Sequence, residues 1–229
     1  MKTVIVTGAN GNLGNAVVKK FTQQGFFVFG TALHSPKTSD DFSSDMFEQT
    51  IVNVEDEVES EKFVHKIIEK YNTIDAAVLT VGGFAKGTIS NTTTADIKKQ
   101  YQLNFETAYN VAKPVFEQMM KQGNGRIFMI GSKQGLSSKN GKGVVAYGLA
   151  KSLLFRLAEL MNAEAKGKNV VVSVVVPSTI DTHSNREGMP DAHFEDWVPA
   201  ESIADVIYWY CTDEAAAIRE PVIKVYNNA

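Results

Sequence analysis

Residues 3–14 read TVIVTGANGNLG, a short β-branched run that leads into three glycines and then into an amphipathic segment. In a strand-to-helix turn, Gly8 permits the tight turn, Gly11 lets the backbone approach a diphosphate, and Gly14 lets the helix pack on the strand. The diphosphate would lie at the N-terminus of the helix. The turn therefore predicts a nucleotide site made by Gly8, Asn10, Gly11, Asn12, Leu13 and Gly14. Methyltransferases also use glycine-rich nucleotide loops, so that class stays open on this motif alone.

Short apolar runs alternate with longer amphipathic segments along the whole chain, which is typical of strand-helix units in a parallel sheet. Strands are predicted at residues 3–7, 26–32, 48–52, 76–80, 126–130, 170–176 and 222–225. Helices are predicted at 12–24, 55–71, 97–121, 145–166 and 200–211. No Pro/Gly-rich linker or repeat divides the chain, so we expect one dinucleotide-binding domain over residues 1–229. The predicted fold is α/β, a Rossmann-type, doubly wound and mainly seven-stranded parallel sheet with helices on both faces.

The composition is that of an ordinary globular chain, with 44% hydrophobic and 21% charged residues and a formal charge of −3. Because no cluster of Lys and Arg is present, nucleic acid is not an expected partner. The strongest apolar run, residues 170–176, is far shorter than the roughly 18 residues of a membrane span, so no membrane association is expected. The single cysteine, Cys211, fits a reducing cytoplasm. The histidines lack a metal-ligand spacing, and no metal site is predicted.

The end of the second predicted strand bears on the choice of nucleotide. Many dinucleotide folds have there an acidic residue that accepts a hydrogen bond from the adenosine ribose. Here the strand ends with Ala32, Leu33 and His34, without Asp or Glu. A carboxylate would repel a 2′-phosphate, so its absence favours NADP(H) over NAD(H). The candidates for contact with that phosphate are Thr31, His34, Ser35 and Lys37, although a solvated loop is an equally good interpretation of His34 and Lys37. We also assign Asn53 and Val54, after the third strand, to the cofactor site.

Tyr147 and Lys151 are four residues apart on a predicted helix, so both side chains lie on one helical face. A phenol is mostly protonated at neutral pH, but an ammonium about 4 Å away would lower its pKa by roughly three units. The pair could then exchange a proton with a substrate, whereas an exposed helical pair is the alternative. Ser132 follows the fifth strand and could donate a hydrogen bond to a substrate carbonyl or cap a helix. Asn104 is polar in an apolar stretch and needs a partner.

These four positions, together with the glycine turn, resemble the short-chain dehydrogenase/reductase family over essentially the whole chain. The resemblance implies an Asn-Ser-Tyr-Lys tetrad, in which Tyr147 is the general acid/base and Lys151 lowers its pKa and holds the cofactor ribose. Ser132 would orient the substrate, and Asn104 would support a water relay to Lys151. Further cofactor contacts are implied for Val81, Gly82, Gly83, Pro177, Thr179, Ile180 and Thr182.

Two motifs depart from the usual pattern of that family. Asn12 stands where the second glycine is common, and residues 79–82 read LTVG in place of Asn-Asn-Ala-Gly. Residues 81–85 and 177–197 resemble dihydropteridine reductases and related bacterial short-chain reductases, which implies that residues 189–197 form part of a lid on the substrate side. The resemblance to dihydropteridine reductases would imply NADH as the cofactor, and these enzymes lack a serine at the position of Ser132. Ser132 therefore favours a carbonyl substrate, and a pterin remains the alternative.

The sequence as a whole predicts an NAD(P)(H)-dependent oxidoreductase that transfers a hydride between the nicotinamide and a small carbonyl or alcohol substrate. Two alternatives stay open: the reduction of a quinonoid dihydropterin, and an NAD(P)-binding sensor or scaffold protein without turnover. Long connections at 82–92, 135–143 and 178–198 would wall the pocket. The family commonly dimerises through two long helices, here 97–121 and 145–166, so we expect a homodimer or homotetramer.

Overall fold

A computed structural model of the protein describes residues 1–34 and 44–228, and its strands form one large and one small sheet. The strands within these residues are Thr3–Thr7 (β1), Phe27–Ala32 (β2), Phe47–Ile51 (β3), Ala76–Leu79 (β4), Asn124–Ile130 (β5), Asn169–Pro177 (β6), Ile180–Asp181 (β7), Val198–Pro199 (β8) and Val222–Val225 (β9). The predicted strands agree with β1–β6 and β9 to within two residues at each end.

The large sheet has the strand order β3-β2-β1-β4-β5-β6-β9, and every neighbouring pair is parallel. The direction of winding reverses between β1 and β4, which leaves a crevice at the carboxyl ends of these two strands. All five residues of β1 are buried, as are all of β6 except Asn169. Strands that are buried on both sides in this way occur where helices cover both faces of a parallel sheet.

The helices form a layer on each face of the sheet. They are Asn12–Gln23 (α1), Glu57–Tyr71 (α2), Thr94–Tyr101 (α3), Thr107–Gln122 (α4), Lys133–Leu136 (α5), Val145–Glu164 (α6), His183–Gly188 (α7) and Ala200–Trp209 (α8). One apolar core contains Ile67 of α2, Met119 of α4 and Leu154 of α6. The other contains Phe21 of α1 and Ile203 of α8. This arrangement confirms the predicted doubly wound Rossmann-type fold.

The segment predicted as one helix at 97–121 is helical throughout, but it begins three residues earlier and contains a π-helical turn. The chain forms α3, then a π-helical turn at Gln102–Glu106, then α4. The start is earlier than predicted because Thr93 and Asp96 form a capping box, in which each residue's side chain accepts from the other's backbone N–H. A π turn adds one residue to the helix and barely alters its apolar pattern, so periodicity does not reveal it. Asn104 lies within this turn.

The long connections at the carboxyl edge contain ordered elements that were not predicted. α5 lies between β5 and α6, α7 follows β6, and β7 pairs in parallel with β8. Gly87 forms a bridge with Val144, so the connection after β4 is joined to the start of α6. Most of the connection predicted to be loop-like, at 35–45, lies outside the described residues. Within residues 1–34 and 44–228, no helix combines the length and the apolar character that a membrane span requires.

Candidate active site

The predicted site residues lie along the carboxyl edge of the large sheet, because parallel strands end on a common side. The positions in or after the strands are Gly8–Gly14 after β1, Ala32–His34 at the end of β2, Asn53 and Val54 after β3, Val81–Gly83 after β4, Ser132 after β5, and Pro177–Thr182 at and after β6. The helical segments that pack beside this edge contribute Asn104, Tyr147 and Lys151.

The β1–α1 turn has the geometry for which its glycines are suited. Gly8 has a φ of 65°, in the left-handed region. A Cβ atom on Gly14 would lie 2.1 Å from the carbonyl oxygen of Gly8, so the close packing of helix on turn requires glycine. Gly11 is the N-cap of α1, whose first turn has neither a side-chain cap nor an acidic residue. The backbone N–H groups at this helix end therefore suit an anionic ligand.

The end of β2 is tied to this turn by hydrogen bonds. The Ala9 N–H donates to the carbonyl of Thr31 at 2.9 Å, and the Gly8 N–H donates to the Thr31 hydroxyl at 3.4 Å. Ala32 is buried, whereas Leu33 and His34 are exposed. No carboxylate is present from Ala32 to His34. The further candidates for phosphate contact, Ser35 and Lys37, lie outside the described residues.

The residues after β3 form a turn that leads into α2. The Asn53 side chain accepts a hydrogen bond from the Glu55 N–H at 3.1 Å. The carbonyl of Val54 accepts from Asn110 Nδ2 at 3.1 Å, which anchors the turn to α4. Asn53 is half-buried and Val54 is buried at this edge. The turn is thereby fixed between two helices of the same layer.

Lys151 is the buried cation of this region. Its side chain lies in α6, is 5% exposed, and donates from Nζ to the carbonyl oxygen of Ile130 at 2.7 Å. Burial lowers the pKa of Lys151 to about 8. Across the described segments of the chain, no Asp or Glu side chain pairs with it. A neutral backbone carbonyl is thus its hydrogen-bond partner.

The pKa of Tyr147 is raised, whereas the sequence-based expectation is that Lys151 lowers it. Burial raises the pKa of Tyr147, and hydrogen bonding with the Ser132 side chain lowers it in part. Within the described residues, Tyr147 and Lys151 make no direct hydrogen bond with each other. Burial has the larger effect because the phenol leaves water and no charged group among these residues is directly hydrogen-bonded to it. Ser132 also accepts from the Gly135 N–H at 3.1 Å, and so it caps α5 as well as contacting Tyr147.

Asn104 does have the partners that its buried position requires. Its Oδ1 accepts from the Gly83 N–H at 3.1 Å, and its Nδ2 donates to the Gly83 carbonyl at 3.0 Å. A Cβ atom on Gly82 would lie 2.7 Å from Asn104 Oδ1 and 3.1 Å from Lys151 Nζ. Gly82 therefore separates these two polar atoms, and the absence of a side chain at this position lets both approach the same point.

The segment after β6 holds the predicted residues in a short ordered structure. Ile180 belongs to β7, which pairs with β8, and the Thr182 hydroxyl caps α7 by accepting from the Asn185 N–H at 3.1 Å. Asp181 forms a two-point ion pair with Arg186, with both N–O distances 2.7 Å. Pro177 ends β6, and Thr179 precedes β7. These contacts fix the segment beside the edge of the sheet.

Two contacts of the site were missed by sequence reasoning. The ring of Phe84 packs edge to face against that of Tyr147, with centroids 5.1 Å apart, and more than half of the Phe84 side chain is exposed. The carbonyl of Ile130 accepts from Lys151. An aromatic residue in a polar connection after a strand was a signal for Phe84. A backbone carbonyl leaves no signal in the sequence.

The arrangement can exchange a proton beside a bound anion. A phenol and a hydroxyl interact at the carboxyl edge, a buried ammonium lies one helical turn away, and the β1–α1 turn suits a phosphate group. Among the described residues, no group of three or more His, Cys, Asp or Glu side chains could hold a metal ion.

Comparisons with known proteins point to one family. A family model described as short chain dehydrogenase matches residues 2–192. The 3-oxoacyl-(acyl-carrier-protein) reductase FabG of Escherichia coli (strain K12) is 26% identical over 234 residues, which cover 98% of this chain and 95% of that protein. The dihydropteridine reductase of Dictyostelium discoideum is 26% identical over 219 residues, which cover 93% of this chain and 88% of that protein.

The solved structures that resemble the chain include two of ElxO. ElxO with NADP bound has a TM-score of 0.88 at 22% identity, and the match covers 98% of this chain and 96% of that chain. A tyrosine-to-phenylalanine variant of ElxO with NADPH bound has a TM-score of 0.89 at 23% identity, with 97% and 96% covered. At these identities, the likeness establishes the fold.

Proposed function

The chain belongs to the short chain dehydrogenase family, and we propose that it is an NADP(H)-dependent oxidoreductase acting on small carbonyl or alcohol substrates. A hydride moves between the nicotinamide and the substrate carbon, and Tyr147 gives or takes the proton at the substrate oxygen. The name of the FabG relatives, which describes reduction of a 3-oxoacyl group, supports a carbonyl substrate.

The buried ammonium of Lys151 is the observation that carries this proposal. Among residues 1–34 and 44–228, the Lys151 ammonium is paired only with a neutral carbonyl, which costs free energy, and such buried cations are concentrated at functional sites. When Tyr147 gives up its proton, the positive charge one helical turn away stabilises the phenolate that forms. The ammonium thus lowers the barrier to the proton transfer that balances the movement of hydride.

The other polar residues have supporting roles in the proposal. Ser132 donates to the substrate oxygen and keeps that oxygen beside the Tyr147 hydroxyl. Asn104 Oδ1 and Lys151 Nζ both lie beside Gly82, and Asn104 supports the relay of protons to and from Lys151. Phe84 covers the ring of Tyr147 and limits the access of water to it.

The β1–α1 turn fits the diphosphate of the nucleotide, since its uncapped helix end and its glycines allow a close backbone approach. We assign the remaining nucleotide contacts to Asn10, Asn12, Leu13, Ala32, Leu33, His34, Asn53, Val54, Val81, Gly82, Gly83, Tyr147, Lys151, Pro177, Thr179, Ile180 and Thr182. The absence of a carboxylate at residues 32–34 and the NADP bound to ElxO support NADP(H) over NAD(H). A kcat/KM that favours NADH tenfold or more would overturn that preference.

A spectrophotometric screen tests the proposal. Oxidation of NADPH and of NADH is followed separately against aldehydes, ketones and quinonoid dihydropterin. We expect saturable turnover of at least one carbonyl class with NADPH. Saturable NADPH binding without oxidation across the whole panel would favour a sensor or scaffold protein instead.

Reduction of a quinonoid dihydropterin is the second candidate, favoured by the match to the dihydropteridine reductase. A quinonoid pterin needs no polarisation of a carbonyl by a serine, so replacement of Ser132 distinguishes the two substrates. With a carbonyl substrate, Ser132→Ala should lower kcat by about 10²-fold. With a pterin, the variant should keep most of the wild-type kcat.

We also propose a homodimer or homotetramer that acts in the cytoplasm. The outer faces of α4 and α6 line a groove between them and expose Tyr109, Leu153 and Leu160. Exposed apolar side chains on adjacent helices are suited to packing against the same face of a second copy.

A further inference from the structure

Gln100 is a buried polar residue that the proposed function does not use. It lies near the end of α3, is 5% exposed, and precedes Asn104 by four residues. Both of its oxygen atoms accept from Asn104 Nδ2, with distances of 3.0 Å to the side-chain Oε1 and 3.3 Å to the backbone carbonyl. A buried glutamine loses its hydration, and here its contact is with a residue of the candidate active site.

We infer that Gln100 is a positioning residue, which holds the Asn104 carboxamide with its oxygen directed to the point that it shares with Lys151 Nζ. The inference rests on the proposed function, because the role of Asn104 belongs to it. Gln100 itself does not touch the reacting atoms in this assignment, and it acts only through Asn104.

The hydrogen-bond count at Asn104 explains why a second partner is needed. Nδ2 carries two hydrogens, and Gly83 provides one acceptor on the exposed side of the site. Gln100 provides acceptors for the other hydrogen inside the protein. Without the Gln100 side chain, this buried N–H keeps only the more distant backbone carbonyl at 3.3 Å, so the carboxamide is held less firmly and samples other rotations.

The orientation matters because of the charge nearby. With Oδ1 accepting from the Gly83 N–H, the negative end of the amide dipole borders Gly82, as does the Lys151 ammonium. A rotated carboxamide would present its N–H groups to the ammonium instead, which disfavours the charged form of Lys151. Gln100 thus affects the proton-transferring pair without contacting it.

The side chain of Gln100 also allows a conservative replacement. Its Nε2 makes no hydrogen bond with the residues that the structure describes, so a change of this group to oxygen removes no protein contact. Gln100→Glu keeps an acceptor at the same place as a protonated acid, the form that burial favours, whereas Gln100→Leu removes the acceptor at similar volume. Gln118→Leu is the matched control, because Gln118 is also a buried helical glutamine and donates to the Asn72 carbonyl at the opposite edge of the sheet.

The experiment measures kcat and KM for these variants in the wild-type and Asn104→Ala backgrounds. We expect Gln100→Leu to lower kcat about tenfold with KM for NADPH within about twofold, and Gln100→Glu to restore most of kcat. In the Asn104→Ala background, Gln100→Leu should have no further effect on kcat. Gln118→Leu should lower stability and leave kcat unchanged. A wild-type kcat in Gln100→Leu, or a full additional loss in the Asn104→Ala background, would overturn the inference.

A second readout separates this inference from the proposed function. The side-chain amide signal of Asn104 in a ¹⁵N–¹H NMR spectrum is identified by its loss in Asn104→Ala. Gln100→Leu should shift this signal and accelerate its hydrogen exchange, and Gln100→Glu should keep slow exchange. If the wild-type protein turns over no substrate, the proposed function fails and the NMR result still decides the role of Gln100. An unchanged Asn104 signal in Gln100→Leu contradicts the inference.

Discussion

Burial changes the order in which Tyr147 and Lys151 lose their protons. The pKa of the phenol rises above its usual value of 10.0, while that of the ammonium falls from 10.5 to about 8. As the pH rises, Lys151 therefore deprotonates first. Because the proposed mechanism needs the ammonium to stabilise a phenolate, the kcat/KM for reduction, measured by NADPH oxidation, should decrease as pH rises through about 8.

Replacement of Lys151 tests whether this charge is kept at the expense of stability. A pKa of about 8 in place of 10.5 corresponds to a folding penalty of about 3 kcal/mol at neutral pH. Loss of the hydrogen bond to the Ile130 carbonyl lowers the free energy of unfolding by about 1 kcal/mol. Lys151→Met should therefore raise the free energy of unfolding by about 2 kcal/mol at pH 7 and abolish turnover, as measured by urea denaturation and NADPH oxidation.

The pH dependence of this difference has a definite sign. Below pH 8, Lys151 is charged in both the folded and the unfolded state, and the penalty is complete. Between pH 8 and 10.5 the unfolded state binds more protons, so the wild-type protein gains stability as pH rises. The advantage of Lys151→Met should shrink over this range. A variant that is less stable than the wild type at pH 7 contradicts a penalty for the buried charge.

Residue types and spacing predicted the positions of Ser132, Tyr147 and Lys151 at this edge, but not their electrostatics. Four-residue spacing places two side chains on one helical face, yet burial decides their pKa values and depends on the whole fold. The same limit applies to Gln100, whose four-residue spacing from Asn104 can be read from the sequence, whereas the orientation and burial of its side chain cannot. The carbonyl of Ile130, which accepts from Lys151, has no sequence signal.

At the scale of single elements, different glycines of the β1–α1 turn serve folding and ligand binding. Gly14 is required by packing, since its Cβ would lie 2.1 Å from the Gly8 carbonyl oxygen. At Gly11 the Cβ would lie 3.2 Å from the Gly8 carbonyl oxygen, a tight contact that a small shift of the turn relieves, and the backbone is in an extended region open to alanine. Gly11 is therefore the position where a methyl group obstructs a ligand more than it obstructs the fold.

Gly11→Ala should thus weaken nucleotide binding with a small change in stability. Loss of a favourable N-cap costs about 1 kcal/mol of unfolding free energy. A methyl group at the approach to the diphosphate should raise the Kd for NADPH at least tenfold, measured by fluorescence titration or calorimetry. Gln23→Ala, at the other end of α1, should change neither quantity. Wild-type affinity in Gly11→Ala would show that the diphosphate does not lie over this turn.

Strands and long helices could be predicted because their apolar periodicity extends over several residues. β7 and β8 have two residues each, which is too few for an alternating pattern, and they exist because their segments pair with each other. The π turn at Gln102–Glu106 adds one residue within a continuing apolar pattern. A local window of sequence contains neither the partner of a two-residue strand nor a signal for the extra residue.

At the scale of the whole molecule, parallel winding gathers the site from six strands and two helical segments. The same topology leaves apolar side chains exposed on the outer faces of α4 and α6, among them Tyr109, Leu153 and Leu160. Packing of this face against a second copy of the chain would remove these apolar side chains from water. We therefore place the interface of the proposed oligomer on this layer of helices.

Leu160→Glu should disrupt this interface, because a carboxylate buried there would lose its hydration. Val58→Glu is the matched control, since Val58 on α2 is 56% exposed and Leu160 is 55% exposed. Light scattering should give a halved mass, or a smaller one, for Leu160→Glu and the wild-type mass for Val58→Glu. A wild-type protein that is monomeric at every concentration tested excludes this interface.

The most direct test of the proposed chemistry is the single-turnover rate of NADPH oxidation in Tyr147→Phe, with the carbonyl substrate identified by the screen. Tyr71→Phe, whose ring packs on Phe29 on the side of α2, is the control for loss of a phenol hydroxyl. We predict that Tyr147→Phe loses about 10²–10⁴-fold in rate and keeps the Kd for NADPH within about twofold. A Tyr147→Phe variant that oxidises NADPH at most of the wild-type rate would contradict the assignment of Tyr147 as the proton donor.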